Sequence, residues 1–408
     1  MAESIKDKVA FIGMGCTQFG ERWDVGFKDL VIEATYNAYE DAGVESKDIQ
    51  AAWIGTQSGS TAAGTLVAPL KLRAIPVARV ENASGTGHEA VRNAAYSLIA
   101  KAFDLVLVVG CEKTKDAGFG GLGTGPGGAG VGVDEWHPTY LYGTASTPPA
   151  RFALAATAYF AKYGLTPEEG KRMLAKISVK SHYYGYRNPK AHLRREVTVE
   201  QVMNAPMIAW PLGLYDCCGV TDGAAAAIMC RSEDAKNFRD DYVNIKSLGA
   251  CSGPGMGKVL SDYDWTYSEE DIAAAKMAYK DVGIIDPRKE IDLVELHDCF
   301  SISEVLAAEG LGLCETGKYK EQITDVDAYY LDGIIPTNIS GGLKSFGHPT
   351  GASGVHETYE NYKQVQGKAD YPERQKQKWK TDQRLCLSHN RGGAPGRAVS
   401  NVTIIGLP

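Results

Sequence analysis

The sequence predicts an α/β protein built from two similar halves, and three observations carry that prediction. Short apolar runs of strand length alternate with longer segments whose apolar residues recur at helical spacing. One run, "DLVLVVGCEK" at 104–113, is almost unbroken in its apolar character, as expected of a strand covered on both faces. A helix, loop and strand unit also recurs. Ala38 opens "AYEDAGVESKDIQAAWIG" and Ala278 opens "AYKDVGIIDPRKEIDLVELHD", so both helices close on Ala-Tyr-x-Asp-x-Gly before a polar loop and a new strand.

In chain order, "KVAFIGMG" (8–15) reads as a buried strand, "FKDLVIEATYNAYEDAGV" (27–44) as a helix that stops at Gly43, and "AAWIGTQSG" (51–59) as a strand. "RVENASGTGHEAVRNAA" (79–95) runs from a strand through a sharp turn into a helix expected over about 87–102. Residues 116–215 interrupt the pattern. "AGFGGLGTGPGGAGVGVDEW" is too rich in glycine to hold one conformation, and "PPARFALAATAYFAKYG" and "EEGKRMLAKISVKSHYYGYRNPKAH" are helical by period. That second helix and its end are basic at Lys171, Arg172, Lys176, Lys180, Arg187, Lys190, Arg194 and Arg195, a charge that suits either a solvated face or an anion site. The expected division is a first half of 1–115 with 216–240, an inserted loop or lid domain of 116–215, and a second half of 241–408.

Composition narrows the function. Among 408 residues, 44% are hydrophobic and 23% charged, and the formal net charge is -7, which argues against nucleic acid or an anionic membrane as partner. No apolar window reaches the length of a membrane helix, and the amino terminus is unlike a signal peptide, so a cytoplasmic location is expected. Nine scattered cysteines without a Cys-x-x-Cys pair point away from a disulfide framework or a metal site, and toward a reducing compartment.

The chemistry gathers where strands end. At a strand-to-helix junction, backbone N–H groups converge and the helix dipole favours negative charge. Ser84 stands at such a junction, between two readings: a plain helix cap, or a nucleophile whose developing oxyanion meets those N–H groups. "ELHDCFS" (295–301) puts His297 and Cys299 just past a buried strand, "FGHPTGASG" (346–354) puts His348 in a glycine-rich loop, and "CLSHNRGG" (386–393) ends a strand in a turn holding His389, Asn390, Gly392 and Gly393. Two histidines, a cysteine and a nucleophile position on such loops form a candidate site.

These motifs, "VENASGTG", "TDGAAAAIM" (221–229), "HDCF", "GHPTGASG" and "HNRGG", resemble the thiolase superfamily over essentially the whole chain, in particular the sterol-carrier-protein type and the related archaeal thiolases. The resemblance implies two duplicated βαβαβαββ halves in a five-layer αβαβα sandwich, with a loop domain inserted in the first half. It implies an acyl-CoA C-acyltransferase that makes or cleaves the carbon-carbon bond of a 3-oxoacyl-CoA, with coenzyme A as substrate and no metal in the chain. A bulky or aromatic acyl group such as that of benzoylsuccinyl-CoA fits the overall similarity. By the same resemblance His348 is the base that deprotonates the nucleophile and helps bind the thioester oxygen. His297 stabilises the enolate, and Cys299 shuttles the α-proton because Asn390 stands where other thiolases carry a second cysteine. The N–H groups of Ser84 and Gly392 form a second oxyanion hole. CoA binding would draw on the basic insertion and the glycine loop of 118–132. A homodimer or larger assembly and a small partner with a zinc finger and an OB-fold are also implied.

Ser84 departs from the family, which has cysteine there. A hydroxyl needs a full general base and yields an oxyester, a poorer acyl donor than a thioester. Three explanations stay open: a cysteine-to-serine variant made to trap a complex, a natural serine enzyme such as a thiolase-like retro-aldolase acting on a CoA thioester, or a non-catalytic member that binds acyl-CoA or lipid.

Overall fold

The computed structural model describes residues 4–57, 63–117, 147–253, 263–324, 328–394, 396 and 398–408. The first half lays down β1 (Val9–Cys16), β2 (Ala51–Gly55), β3 (Val77–Val80) and β4 (Leu105–Lys113). A small hairpin of β5 (Met207–Ala209) and β6 (Leu212–Gly213) precedes β7 (Asp222–Arg231). The second half supplies β8 (Val243–Ser252), β9 (Leu293–Leu296), β10 (Cys386–Gly392) and β11 (Val399–Gly406). The sheet order is β3-β2-β4-β7-β1-β8-β11-β10-β9, with the halves joined edge to edge at β1 and β8 through Ala10–Asn244 and Phe11–Val243.

Outwards from that seam each half repeats one pattern. β1, β7 and β4 pair antiparallel in turn, then β2 and β3 are added parallel. β8, β11 and β10 likewise pair antiparallel, then β9 is parallel, and a parallel bridge from Val294 to Thr337 occupies the place of a fifth strand. The duplication read from Ala38 and Ala278 is therefore carried through to strand order.

Among the described residues seven helices run to ten residues or more: α1 (Phe27–Ala42), α2 (Thr86–Ile99), α3 (Pro148–Lys162), α4 (Pro167–Arg187), α5 (Glu269–Val282), α6 (Ser301–Gly310) and α7 (Ser353–Gln366). The repeated units α1 and α5 both stop at a left-handed glycine, Gly43 (φ 70°) and Gly283 (φ 89°), where a side chain would be strained. Strand alternation then builds the layers. Ala10 and Ile12 pack with Leu30, Val31 and Ala34 of α1, whereas Val9 and Phe11 pack with Val91 and Leu98 of α2 and Tyr359 and Tyr362 of α7. In the second half, Leu293 and Cys386 face that same central core, while Leu296 and Leu387 face Ala274 and Ala278 of α5 and Val305 of α6. Five layers result, with α2 and α7 in the middle. Twelve of the fourteen residues of α7 are buried. The two central helices approach at Gly87 and Gly354, where a Cβ on Gly354 would stand 2.6 Å from His88 N.

The helix expected over about 87–102 ends earlier, at Ile99, because Lys101 turns left-handed (φ 56°). The glycine-rich stretch of 118–132 lies outside the described residues. The inserted helices α3 and α4 pack on the second half: Phe152 meets Phe300 with ring centroids 4.6 Å apart, and Ile177 shares the α6 core. Two of the basic residues are structural. Lys171 pairs with Asp216, and Lys180 pairs with Glu304 at 2.5 Å with both side chains fully buried. Neither an open solvated face nor an anion site describes those two positions, because their charges are consumed internally.

Candidate active site

Ser84 lies four residues beyond β3, in a turn made by Ala83 in the left-handed region (φ 49°) and by Gly85 N–H donating to Asn82 O (3.0 Å). Thr86 Oγ1 accepts the Asn82 N–H (2.8 Å) and locks the turn from inside. The cap of α2 is Gly85, with no side-chain capping bond, so the capping reading of Ser84 fails. Its hydroxyl is directed instead to His348 Nε2, 3.1 Å away. The left-handed alanine costs about 1–2 kcal/mol and aims the next residue away from the helix.

His348 belongs to the loop that enters α7. Its Nδ1 lies 2.7 Å from Ser353 Oγ, and that hydroxyl donates to Pro349 O (3.1 Å). A serine has one proton to give, so Ser353 accepts from Nδ1–H and leaves Nε2 free as an acceptor toward Ser84. Burial pushes the imidazole down to about 4, which keeps it neutral at pH 7. The loop is anchored by Glu112 at the end of β4, a carboxylate that accepts from Thr56 Oγ1 (3.1 Å), Gln57 N (3.0 Å), Thr350 Oγ1 (3.0 Å) and Gly351 N (3.2 Å).

His297 follows β9, and its ring stands edge-on to that of His348 with centroids 5.0 Å apart. Its backbone N–H reaches His389 Nδ1 at 3.5 Å, and its ring Nδ1 faces the Asn390 amide nitrogen at 3.2 Å. Burial, followed by the neighbouring His348, holds it well below the usual imidazole value. Cys299, two residues on, is buried, and its carbonyl accepts the Cys218 N–H at 2.9 Å. Burial pushes its thiol up to about 12 against the opposing pull of Arg391, so the sulfur stays protonated at neutral pH.

The "HNRG" residues form the end of β10, all buried, rather than the turn expected from the sequence. His389 and Arg391 point one way and are held by Asp271 of α5, the imidazole at 3.0 Å. Asn390 and Gly392 point the other way, toward the candidate site. A Cβ on Gly392 would overlap Asn82 O and stand 2.9 Å from Gly85 N, so glycine is needed for β10 to approach the serine turn. Ser84, His348 and Gly392 thus meet at one place, His297 adjoins them through His348, and Cys299 stands on the His297 loop.

Sequence reasoning singled out neither Ser353 nor Glu112. A signal for the first was present: a serine five residues beyond His348 at the start of a helix can turn back to that ring. Among the described residues no group of three or more His, Cys, Asp or Glu side chains is arranged to hold a metal ion. No helix of the described residues is long and apolar enough to cross a membrane. The arrangement combines a hydroxyl beside a neutral base, a second imidazole, a protonated thiol and close backbone at a helix start, which suits nucleophilic attack on a carbonyl followed by proton delivery.

Residues 9–233 match the family of thiolase N-terminal domains, and residues 257–405 match the thiolase C-terminal domain-like family. An acetyl-CoA acetyltransferase of Methanothermobacter thermautotrophicus is 37% identical over 401 residues, covering 97% of this chain and 98% of that protein. The benzoylsuccinyl-CoA thiolase subunit BbsB of Thauera aromatica is 29% identical, over 88% of this chain and 90% of its own length. The solved structure of an Ltp2-ChsH2(DUF35) aldolase shares the fold with a TM-score of 0.83 at 22% identity, covering 99% of each chain.

Proposed function

Because the chain belongs to the thiolase family and is an acyl-CoA C-acyltransferase, we propose that it cleaves a 3-oxoacyl-CoA with CoA through an acyl ester on Ser84. His348 Nε2 takes the Ser84 proton as the oxygen attacks the 3-oxo carbon. The N–H groups of Ser84 and Gly392 receive the resulting oxyanion. The C2–C3 bond then breaks with its electron pair moving to C2, the enolate oxygen faces His297, and the Cys299 thiol protonates C2. The shortened acyl-CoA leaves. The Cys299 thiolate next takes the proton of incoming CoA, whose sulfur attacks the ester, and His348 returns its proton to Ser84. Raised by burial, Cys299 is a protonated thiol at neutral pH and holds the proton that C2 takes up on cleavage; in the reverse, condensing direction its thiolate takes that proton back.

The observation that carries this reading is the 3.1 Å contact of Ser84 Oγ with a His348 ring whose other nitrogen is already held by Ser353. Mixing the protein with acetoacetyl-CoA should leave an acetyl ester on a peptide containing Ser84, detected by mass spectrometry. Ser84→Cys should give faster turnover, and Ser84→Ala no ester. A Ser84→Cys protein that neither acylates nor cleaves sinks the proposal. A hydroxyl at 84 also suits the second reading, a retro-aldolase. That reaction would release an aldehyde or ketone without free CoA as co-substrate. A member that only binds acyl-CoA or lipid would do so equally after His348→Ala.

Finer features follow as inferences of the same kind. A bulky or aromatic acyl group is supported by likeness to BbsB, and cleavage of a β-oxidation type belongs to the same reading. Arg194 and Arg195 are exposed beside His192 and Leu193, whose N–H groups bond Phe346 O and Ser345 O (2.9 Å each); this supports a role for the two arginines with CoA phosphates. The position of β3 at the edge of the sheet supports a homodimer through the first half. A small partner with a zinc finger and OB-fold, and a cytoplasmic location, complete the reading.

A further inference from the structure

The two imidazoles of the site stand on loops from different strands, yet the inner nitrogen of each leads back to one helix. His348 Nδ1 meets Ser353 Oγ at 2.7 Å. His297 Nδ1 meets Asn390 Nδ2 at 3.2 Å, and the same amide nitrogen reaches Glu357 Oε1 at 3.4 Å. Ser353 and Glu357 lie four residues apart on α7, so their side chains share a face, and both are buried. Gly354 lets that helix press on the amide: a Cβ there would lie 3.0 Å from Asn390 Oδ1.

Counting donors assigns the protons. The single Ser353 proton goes to Pro349 O, so His348 carries its own on Nδ1. An amide nitrogen only donates, and the two N–H bonds of Asn390 are directed at His297 Nδ1 and Glu357 Oε1. His297 Nδ1 therefore accepts, and that ring carries its proton on Nε2. In this orientation Asn390 Oδ1 and Glu357 Oε2 are buried without hydrogen-bond partners among the described residues, so the bond to His297 is made at a cost in unsatisfied acceptors.

We propose that one face of α7 sets the two imidazoles in opposite tautomers, Ser353 directly and Glu357 through Asn390, so that His348 presents a bare Nε2 and His297 presents an Nε2–H. The consequence for catalysis rests on the acyl-transfer reading above. One ring is made a base for Ser84 and the other a donor for an enolate oxygen. Ser353, Glu357 and Asn390 are positioning residues.

Long-range ¹H–¹⁵N correlation spectra of the histidine-labelled wild-type protein read both tautomers directly, with His297→Asn and His348→Asn assigning the signals. The expected result is Nδ1–H at His348 and Nε2–H at His297. Glu357→Leu should disturb the His297 tautomer and lower kcat for acetoacetyl-CoA cleavage roughly tenfold or more, at little cost in KM. Glu357→Gln, which keeps an acceptor oxygen of the same reach, should restore both. Ser353→Ala should instead slow ester formation from acetyl-CoA, a step that needs His348 and no enolate. A wild-type His297 with its proton on Nδ1 overturns the proposal, because the amide is then reversed and Glu357 is the donor. Unchanged spectra and kcat in Glu357→Leu overturn it as well. Opposite tautomers in a protein that forms no Ser84 ester would uphold this assignment and refute the acyl-transfer reading alone.

Discussion

Replacing Lys180 by methionine tests whether the basic face of the inserted helix serves the fold or a ligand. Lys180 Nζ lies 2.5 Å from Glu304 Oε1, and neither side chain touches solvent. With the cation gone, the carboxylate keeps the Tyr319 hydroxyl (2.7 Å) and a longer contact from Asn338 (3.4 Å), but no cation in direct contact among the described residues. Removing one partner of such a pair leaves a buried uncompensated charge and costs about 3–5 kcal/mol. That is a large share of the roughly 5–15 kcal/mol by which folded proteins are stable. Urea unfolding followed by circular dichroism should show this loss for Lys180→Met. The double variant Lys180→Met with Glu304→Leu should recover most of it, since an apolar pair of similar volume replaces the ions. Acyl-CoA affinity, measured by calorimetry well below the unfolding range, should remain near that of the wild type. A stability loss under about 1 kcal/mol together with weakened acyl-CoA binding would refute this reasoning and return Lys180 to the anion-binding reading.

Three other outcomes are expected. His348 acts as a base only when neutral, and burial moves its pKa from 6.5 down to about 4. About 97% of the ring is then neutral at pH 5.5, against about 9% for an unshifted imidazole. Ester formation should therefore hold its rate as pH falls through 6.5 and drop only near 4, and a half-loss close to pH 6.5 would contradict the burial argument. Gly392→Ala forces the serine turn away from β10, so acylation by acetyl-CoA should fall about 10²–10³-fold in stopped-flow assays of the CoA thiol it releases. Retention of wild-type rates would show that this approach does not matter. Gly354→Ala drives a methyl group toward His88 N across the α2–α7 crossing and should destabilise the protein by about 1–3 kcal/mol in thermal unfolding.

The fold was legible because its signals are local. Alternation and helical period mark strands and helices, and the Ala38 and Ala278 repeats announce a duplication that the sheet order carries through. The candidate residues Ser84, His297, Cys299, His348 and Gly392 were legible because each sits in a short motif at a strand end.

What the sequence could not decide were partners and faces. α7 reads as an amphipathic helix, since Ser353, His356, Glu357, Glu360 and Asn361 are polar, yet it is buried nearly all round because the two half-sheets close over it. Lys171 and Lys180 look like part of a solvated face until Asp216 and Glu304 are brought against them. "HNRGG" looks like a turn until β11 pairs with it and alternation sends Arg391 to Asp271 and Asn390 to His297. The amino-acid sequence by itself determined two α/β halves and the chemical types at their strand ends. The motif resemblance already paired His348 with Ser84; only the tertiary structure decided how, turning the hydroxyl from its own helix to a ring 264 residues away whose other nitrogen is held by Ser353. Pattern along a chain records which groups must be buried, whereas the hydrogen-bond partner of a buried group is set by what the packing of distant segments leaves within 3 Å of it.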